Sequence, residues 1–395
     1  MIPSLELLST VGFTSQADTA RSIIGWLVPT ADRVTTRAGN DKIVAQGDAS
    51  GLVGITNFGL ILTGRGNDRI KATGGTLATG LLNSGRIKTG QGEDLVRGLG
   101  NGDNRAGLWN GNGGEILTGA GKDRIQGLGS PASGTPGIVN VNGSVINTGS
   151  GIDILKGVSI ATGIQNSDFS VINTGAGSDR IQGQGWSFGL QISRNARVLT
   201  GIGNDRILGT SDPRSSGESV GILLKDGAQI QTGNGRDQIT GNSTGNGNPD
   251  DNAGILITSS SQIKTARGND RITGIGTAGS SGVHNDALID TGKGKDVVNA
   301  LQGGFAGTGR TRLGQDNDRL LGFGTGFFEG GGGKNDKIFL GQGSYAVNRA
   351  AGTITSSGQT MNIRGFEIIG GSSRGSFALK SGTFNVTAAG LGSFI

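Results

Sequence analysis

The chain has 395 residues, 80 of them Gly and none Cys, and its 35 Lys and Arg outnumber 30 Asp and Glu for a net charge of +5. Without Cys there are neither disulfides nor thiolate metal sites, and no apolar run is long enough for a spanning helix. So much Gly would signal low complexity if it had no pattern, but here it recurs with a fixed period, which argues against disorder.

Residues 1–33 precede the first repeat. The start, Met1 to Thr10, lacks the basic and continuously apolar segments of a secretory signal. From Ser15 to Val28 the apolar residues have helical spacing and stop at Pro29. This predicts an N-terminal cap, an amphipathic helix covering the open end of the first coil.

Residues 34–341 are written around one phrase, seen at Thr174-Gly175-Ala176-Gly177-Ser178-Asp179-Arg180-Ile181. Its Asp returns at Asp41, Asp68, Asp94, Asp123, Asp153, Asp179, Asp205, Asp237, Asp270, Asp296, Asp318 and Asp336. The intervals are 27, 26, 29, 30, 26, 26, 32, 33, 26, 22 and 18 residues. A period in this range means a solenoid. Two residues after every Asp stands an aliphatic, from Ile43 through Ile181 to Ile338, and that column must face a core. Gly pairs such as Gly64/Gly66 and Gly90/Gly92 supply the positive φ of a tight turn just before the Asp.

Before the turn comes small-x-aliphatic-x-Thr, as in Ser170-x-Ile172-x-Thr174, whose period of two marks a strand with one buried face. Further back an Asn or Asp (Asn57, Asn83, Asn112, Asn142, Asp168, Asp226, Asn285) suits a left-handed corner, preceded by Gly-aliphatic pairs such as Gly80-Leu81. Each coil thus offers three short strands. The fold expected is all-β, a single-stranded parallel β-helix (β-solenoid) of about twelve coils with rungs about 4.8 Å apart. Insertions between the Asp-bearing strand and the Gly-aliphatic strand, at residues 101–106, 130–136, 210–220, 242–253 and 277–282, share one edge. Residues 342–395 lose the repeat but remain strand-like, which predicts a C-terminal β cap.

Thr-Gly-x-Gly-Asn-Asp-Arg-Ile resembles the nonapeptide of RTX, or haemolysin-type calcium-binding, proteins, and the longer coil is similar to cyanobacterial tandem-repeat members of that superfamily. The resemblance covers about nine residues of each coil. It implies calcium held between coils, with the twelve Asp residues above as ligands, and export through the C-terminal segment to the medium or cell surface. The sequence departs from that pattern: Thr replaces the first Gly in ten of twelve coils, and the residue after the Asp is basic in eight. Those eight, Lys42, Arg69, Arg124, Arg180, Arg206, Arg271, Arg319 and Lys337, form a row suited to an acidic protein surface or an acidic polymer.

With a single His, His284, and no coil that gathers an unusual set of acids and bases, the sequence predicts a non-enzymatic scaffold that binds other macromolecules. The alternative is a basic cytoplasmic linker organising a large acidic complex, for which a light-harvesting antenna is an analogy. A polysaccharide-binding or polysaccharide-lyase β-helix is a lesser one. Scattered aromatics make nucleic acid a poor partner, and self-association is open.

Overall fold

The computed structural model describes every residue except 1–4, 49, 103–104, 131–133, 213–217, 246–251, 259 and 278. Parts of all five insertions therefore lie outside the described residues. The chain forms two compact units, Met1–Gly209 and Thr210–Ile395.

In the first unit each coil contributes three strands, and each strand pairs in parallel with its counterpart in the next coil. The first face runs from Trp26–Val28 through Leu81–Asn83 to Phe188–Ile192. The second runs from Arg33–Thr35 through Arg86–Gln91 to Arg197–Leu199. The third runs from Thr19–Ser22 through Leu95–Leu99 to Arg180–Gly185. The second unit repeats the pattern. Its second face includes Gln229–Gln231 and Leu288–Asp290. Its third face includes Gln238–Ser243 and Lys337–Leu340. This is the parallel β-solenoid that the period predicts.

Strand alternation explains the core. The twelve aliphatics after the Asp residues are all fully buried, and within each unit they stand opposite one another, as Ile70 does to Val96 and Ile272 to Val298. The turns need Gly for a steric reason as well as a conformational one. Gly90 has φ of +107°, and a Cβ there would sit 1.9 Å from the carbonyl oxygen of Gly64 in the coil before.

Three expectations need correction. The segment from Ser15 to Val28 is not a helix: Thr19–Ser22 pairs with Lys42–Ala45, and Trp26–Val28 with Ile55–Asn57. Docking as strands satisfies the edge backbone groups of the first full coil, which a helix laid across them could not do. Ala20, Ser22, Trp26 and Val28 point inward while Ile23 is 79% exposed, the period of a strand.

The Asn and Asp residues also divide into two columns. Asn112, Asn142, Asp168 and Asp226 are left-handed corners with φ of +55 to +57°. Asn57 and Asn83 instead belong to an interior ladder with Asn110, Asn140 and Asn166, each fully buried.

Finally, coil geometry does not stop at residue 341. Gln359–Arg364 and Ile368–Gly371 still pair in parallel with Gly326–Glu329 and Lys337–Leu340. They share the end with antiparallel strands: Gly343–Asn348 and Thr353–Ser356 come before them, and Ser376–Ala378, Gly382–Val386 and Gly392–Phe394 after.

Candidate functional site: the aspartate ladder and the basic face

The twelve Asp side chains are all buried, at most 1% exposed. Each is placed by the Gly turn before it, and within each unit the backbone N–H of one donates to the carboxylate of the next. The backbone N–H of Asp68 donates to Oδ1 of Asp94 at 2.8 Å, that of Asp94 to Asp123 at 2.9 Å and that of Asp153 to Asp179 at 2.9 Å. The same bond joins Asp270 to Asp296 at 2.8 Å and Asp296 to Asp318 at 2.7 Å. At its ends the pattern uses other residues: the Asp18 N–H donates to Asp41, and Glu367 accepts from the N–H of Asp336.

The second carboxylate oxygen is different. Among the described residues, Oδ2 of Asp41, Asp68, Asp94, Asp123, Asp153, Asp179, Asp270, Asp296 and Asp318 is buried with no hydrogen-bond partner. The Thr63 hydroxyl stands beside the Asp68 carboxyl, yet in this geometry its one proton points along the stack to the carbonyl of Thr89 at 3.1 Å. Thr89 and Thr118 do the same one and two coils on. A protonated Oδ2 could donate to the Thr oxygen; an ionised one accepts from the hydroxyl when it turns from the Thr89 carbonyl, a contact that works against burial and lowers the pKa. Burial pushes Asp68, Asp94, Asp123, Asp153, Asp179, Asp270 and Asp296 up to about 6. Asp318 is pushed up to about 8, again by burial first, with the neighbouring carboxyls adding to it.

Calcium takes six to eight converging oxygens. Here Oδ1 already accepts a backbone N–H, and the turn carbonyls are engaged between coils: Gly92 N–H donates to Ala120 O, and Ser150 N–H to Gly119 O. Among the described residues no group of three His, Cys, Asp or Glu side chains is placed to hold an ion.

The basic residues that come directly after the aspartates open the strands of the third face and point outward. Lys42 stands directly opposite Arg69. Leu95 separates Arg69 from Arg124, and Ile154 separates Arg124 from Arg180. In the second unit Arg271, Arg319 and Lys337 share a row with Val297.

A parallel row escaped notice in the sequence. Two residues further along the strand, Lys71 stands opposite both Val44 and Arg97, Arg21 opposite Val44, and Lys156 opposite Gln126. The period of two was the available signal, because residues one and three after each Asp share a face.

The third face of the first unit thus carries nine cations, Arg21, Lys42, Arg69, Lys71, Arg97, Arg124, Lys156, Arg180 and Arg206, and no outward carboxylate. None of the nine makes an ion pair among the described residues. Elsewhere cations do find partners across coils: Arg86 with Glu115 at 2.8 Å, Arg194 with Asp168 at 3.0 Å, and Arg312 with Glu329 at 3.1 Å.

No family model matches the chain, and no curated protein matches it.

Proposed function

We propose that the chain is a non-enzymatic β-solenoid scaffold that docks an acidic protein surface on the third face of its first unit. The observation that carries this is the row of nine unpaired cations. Like charges on adjacent rungs repel by about 1 kcal/mol per close pair even in water, so the arrangement costs stability unless an anionic surface lies against it. Outward aliphatics are interleaved with the cations, among them Val44, Leu95, Leu99, Leu128, Ile154 and Val158, all half-buried. Arg beside apolar surface suits a protein interface. The outward positions of these strands carry no aromatic ring on which a nucleobase could stack.

A photo-crosslinker at Gln126, on the same face, tests this in the native source. Cross-links to an acidic protein, lost when Lys71, Arg97 and Arg124 are all changed to Glu, are the expected result. Cross-links to nucleic acid or glycan, or the same protein captured by the charge-reversed variant, would overturn it.

We infer further that the aspartate column is structural. The turn carbonyls and Oδ1 atoms are already engaged, whereas an ion would need them free. Calcium titrated by calorimetry into chelator-treated protein is then expected to give no saturable heat. A saturable isotherm with a raised melting temperature would restore the calcium row.

A further inference from the structure

The shortening of the coils in the second unit has a structural consequence apart from the charged face. As the Asp intervals fall from 26 to 22 to 18 residues, the first face narrows from Ser281–Asn285 to Phe305–Ala306. The next coil reaches it only through a single bridge between Phe305 and Gly324. The longer coil therefore overhangs the shorter ones. On the far side stands the turn of the hairpin joining Thr353–Ser356 to Gln359–Arg364, where Ser357 and Gly358 are left-handed with φ of +51° and +78°. Between them lies a cleft of about 790 Å³.

Its lining has a distinct chemistry. Among the described residues none of the fourteen that line it is charged. Gln302, Gln359, Thr277 and Thr325 supply amides and hydroxyls to its lining, together with Phe323 and the buried Phe305. Phe323 is half-buried and held edge-on against Tyr345, with ring centres 5.1 Å apart. The Tyr345 hydroxyl in turn donates to the Gly341 carbonyl at 3.0 Å. Phe305 is fixed edge-on against Phe328, 4.8 Å away.

We propose that this cleft binds an uncharged oligosaccharide. A charged ligand would give up its hydration here with no countercharge to replace it. A wholly apolar one would displace water from the two exposed amides without replacing its hydrogen bonds, although each offers an acceptor and two donors. A neutral sugar meets both conditions. Its hydroxyls pair with the amides and Thr side chains, and the C–H face of its ring packs on Phe323. The volume lies in the range of small-molecule sites, and the backbone comes close because Gly303 and Gly304, with φ of +94° and +74°, carry no side chains.

Titration of the full chain by calorimetry with maltohexaose, cellohexaose and mannohexaose, beside hexagalacturonate as the charged comparator, tests the proposal. The expected result is saturable binding of at least one neutral hexasaccharide, the same at low and high salt. That affinity should fall by roughly tenfold, the effect of losing about 1.4 kcal/mol, in Phe323→Ala and in Gln359→Ala. Gln359 is exposed at the start of its strand, so its variant keeps the fold, as its melting temperature will report, and decides the matter if Phe323→Ala does not fold. Binding of none of the three neutral sugars, preference for hexagalacturonate, or undiminished affinity in Gln359→Ala would each overturn it. Salt insensitivity keeps the outcome separate from docking on the basic face, which salt must weaken.

Discussion

At the scale of one residue, the buried aspartate does two jobs that can be separated by substitution. Oδ1 of Asp179 accepts the N–H of Asp153, while Oδ2 lies beside the Thr174 hydroxyl with no hydrogen bond of its own. Asp179→Asn keeps the acceptor and removes the charge. It should be at least as stable as the parent at pH 8, measured by denaturant unfolding. Asp179→Ala takes the acceptor away and leaves a buried N–H unpaired, which costs about 1–3 kcal/mol at any pH. Equal damage from the two variants at pH 8 would mean that the ionised carboxylate itself is needed, as an ion site would require. This column was legible in the sequence because Asp and an aliphatic two residues on recur in every coil. The inward turn of the carboxylate was not. A Gly-x-Gly-x-Asp turn can aim the side chain at solvent or at its neighbour's N–H, and only coil stacking selects between them.

At the scale of the strand, the interior Asn ladder behaves as a unit. The amide of Asn57 donates to Asn83 at 2.7 Å, Asn83 to Asn110 at 2.7 Å, Asn110 to Asn140 at 2.8 Å and Asn140 to Asn166 at 2.8 Å. Beyond Asn166 the same position in the first unit is Ile192; in the second unit Leu224 stands opposite Ile257 and Ile257 opposite Asn285, so the position takes an aliphatic as well as Asn, and a run of the ladder ends where the two meet. A lone Asn110→Leu breaks the ladder in the middle: the Oδ1 of Asn140 loses its donor, the carbonyls of Gly114 and Val145 lose the Asn110 amide, and the Asn83 amide keeps only the carbonyls of Gly85 and Glu115. It should cost about 2–4 kcal/mol, since each unpaired buried group costs about 1–3. Replacing Asn57, Asn83, Asn110, Asn140 and Asn166 together by Leu should cost less than the single change, a difference visible in melting temperature. A milder effect from the single change than from the full set would dissolve the idea of a ladder.

In the sequence this column is indistinguishable from the corner two residues on because both carry Asn, as at Asn110 and Asn112 or Asn140 and Asn142. Spacing along a strand does not say which of two like residues points inward until the neighbouring coil fixes the register. Likewise Ser22-Ile23-Ile24-Gly25-Trp26 fits a helical period. Gly25, with φ of +92°, and the open backbone of the next coil turn it into two edge strands. The indole of Trp26 secures them by donating to the Val44 carbonyl at 3.1 Å.

At the scale of the whole chain, the raised aspartates set how stability varies with pH. A carboxyl whose folded pKa lies above its unfolded value binds its proton more tightly when folded. Its contribution is fully present below the unfolded pKa, near 3.8, and is lost as pH rises through the folded value. For the seven aspartates pushed up to about 6 the loss falls between about pH 4 and 6, and for Asp318 it extends to about 8.

One such carboxyl alone would account for about 3 kcal/mol, at about 1.4 kcal/mol per pKa unit. Neighbouring rungs titrate together, so the total is smaller than the sum. Acting against this, the net positive charge grows as exposed carboxylates protonate, and self-repulsion rises at low pH. Asp168, held below the usual range by its Ser167 hydrogen bond and by Arg194, loses its contribution only there. The two trends place maximal stability of the ion-free protein near pH 5, with a melting temperature falling toward pH 8. Asp318→Asn should flatten the upper part of that decline, because it removes the carboxyl whose titration reaches furthest. An aspartate column that bound calcium would reverse the slope: with the metal present stability would climb through the same interval, since ligands must be deprotonated to bind, and a chelator would abolish the climb. Melting curves from pH 4 to 9, with chelator and with calcium, therefore decide whether protons or metal ions occupy the interior of the stack.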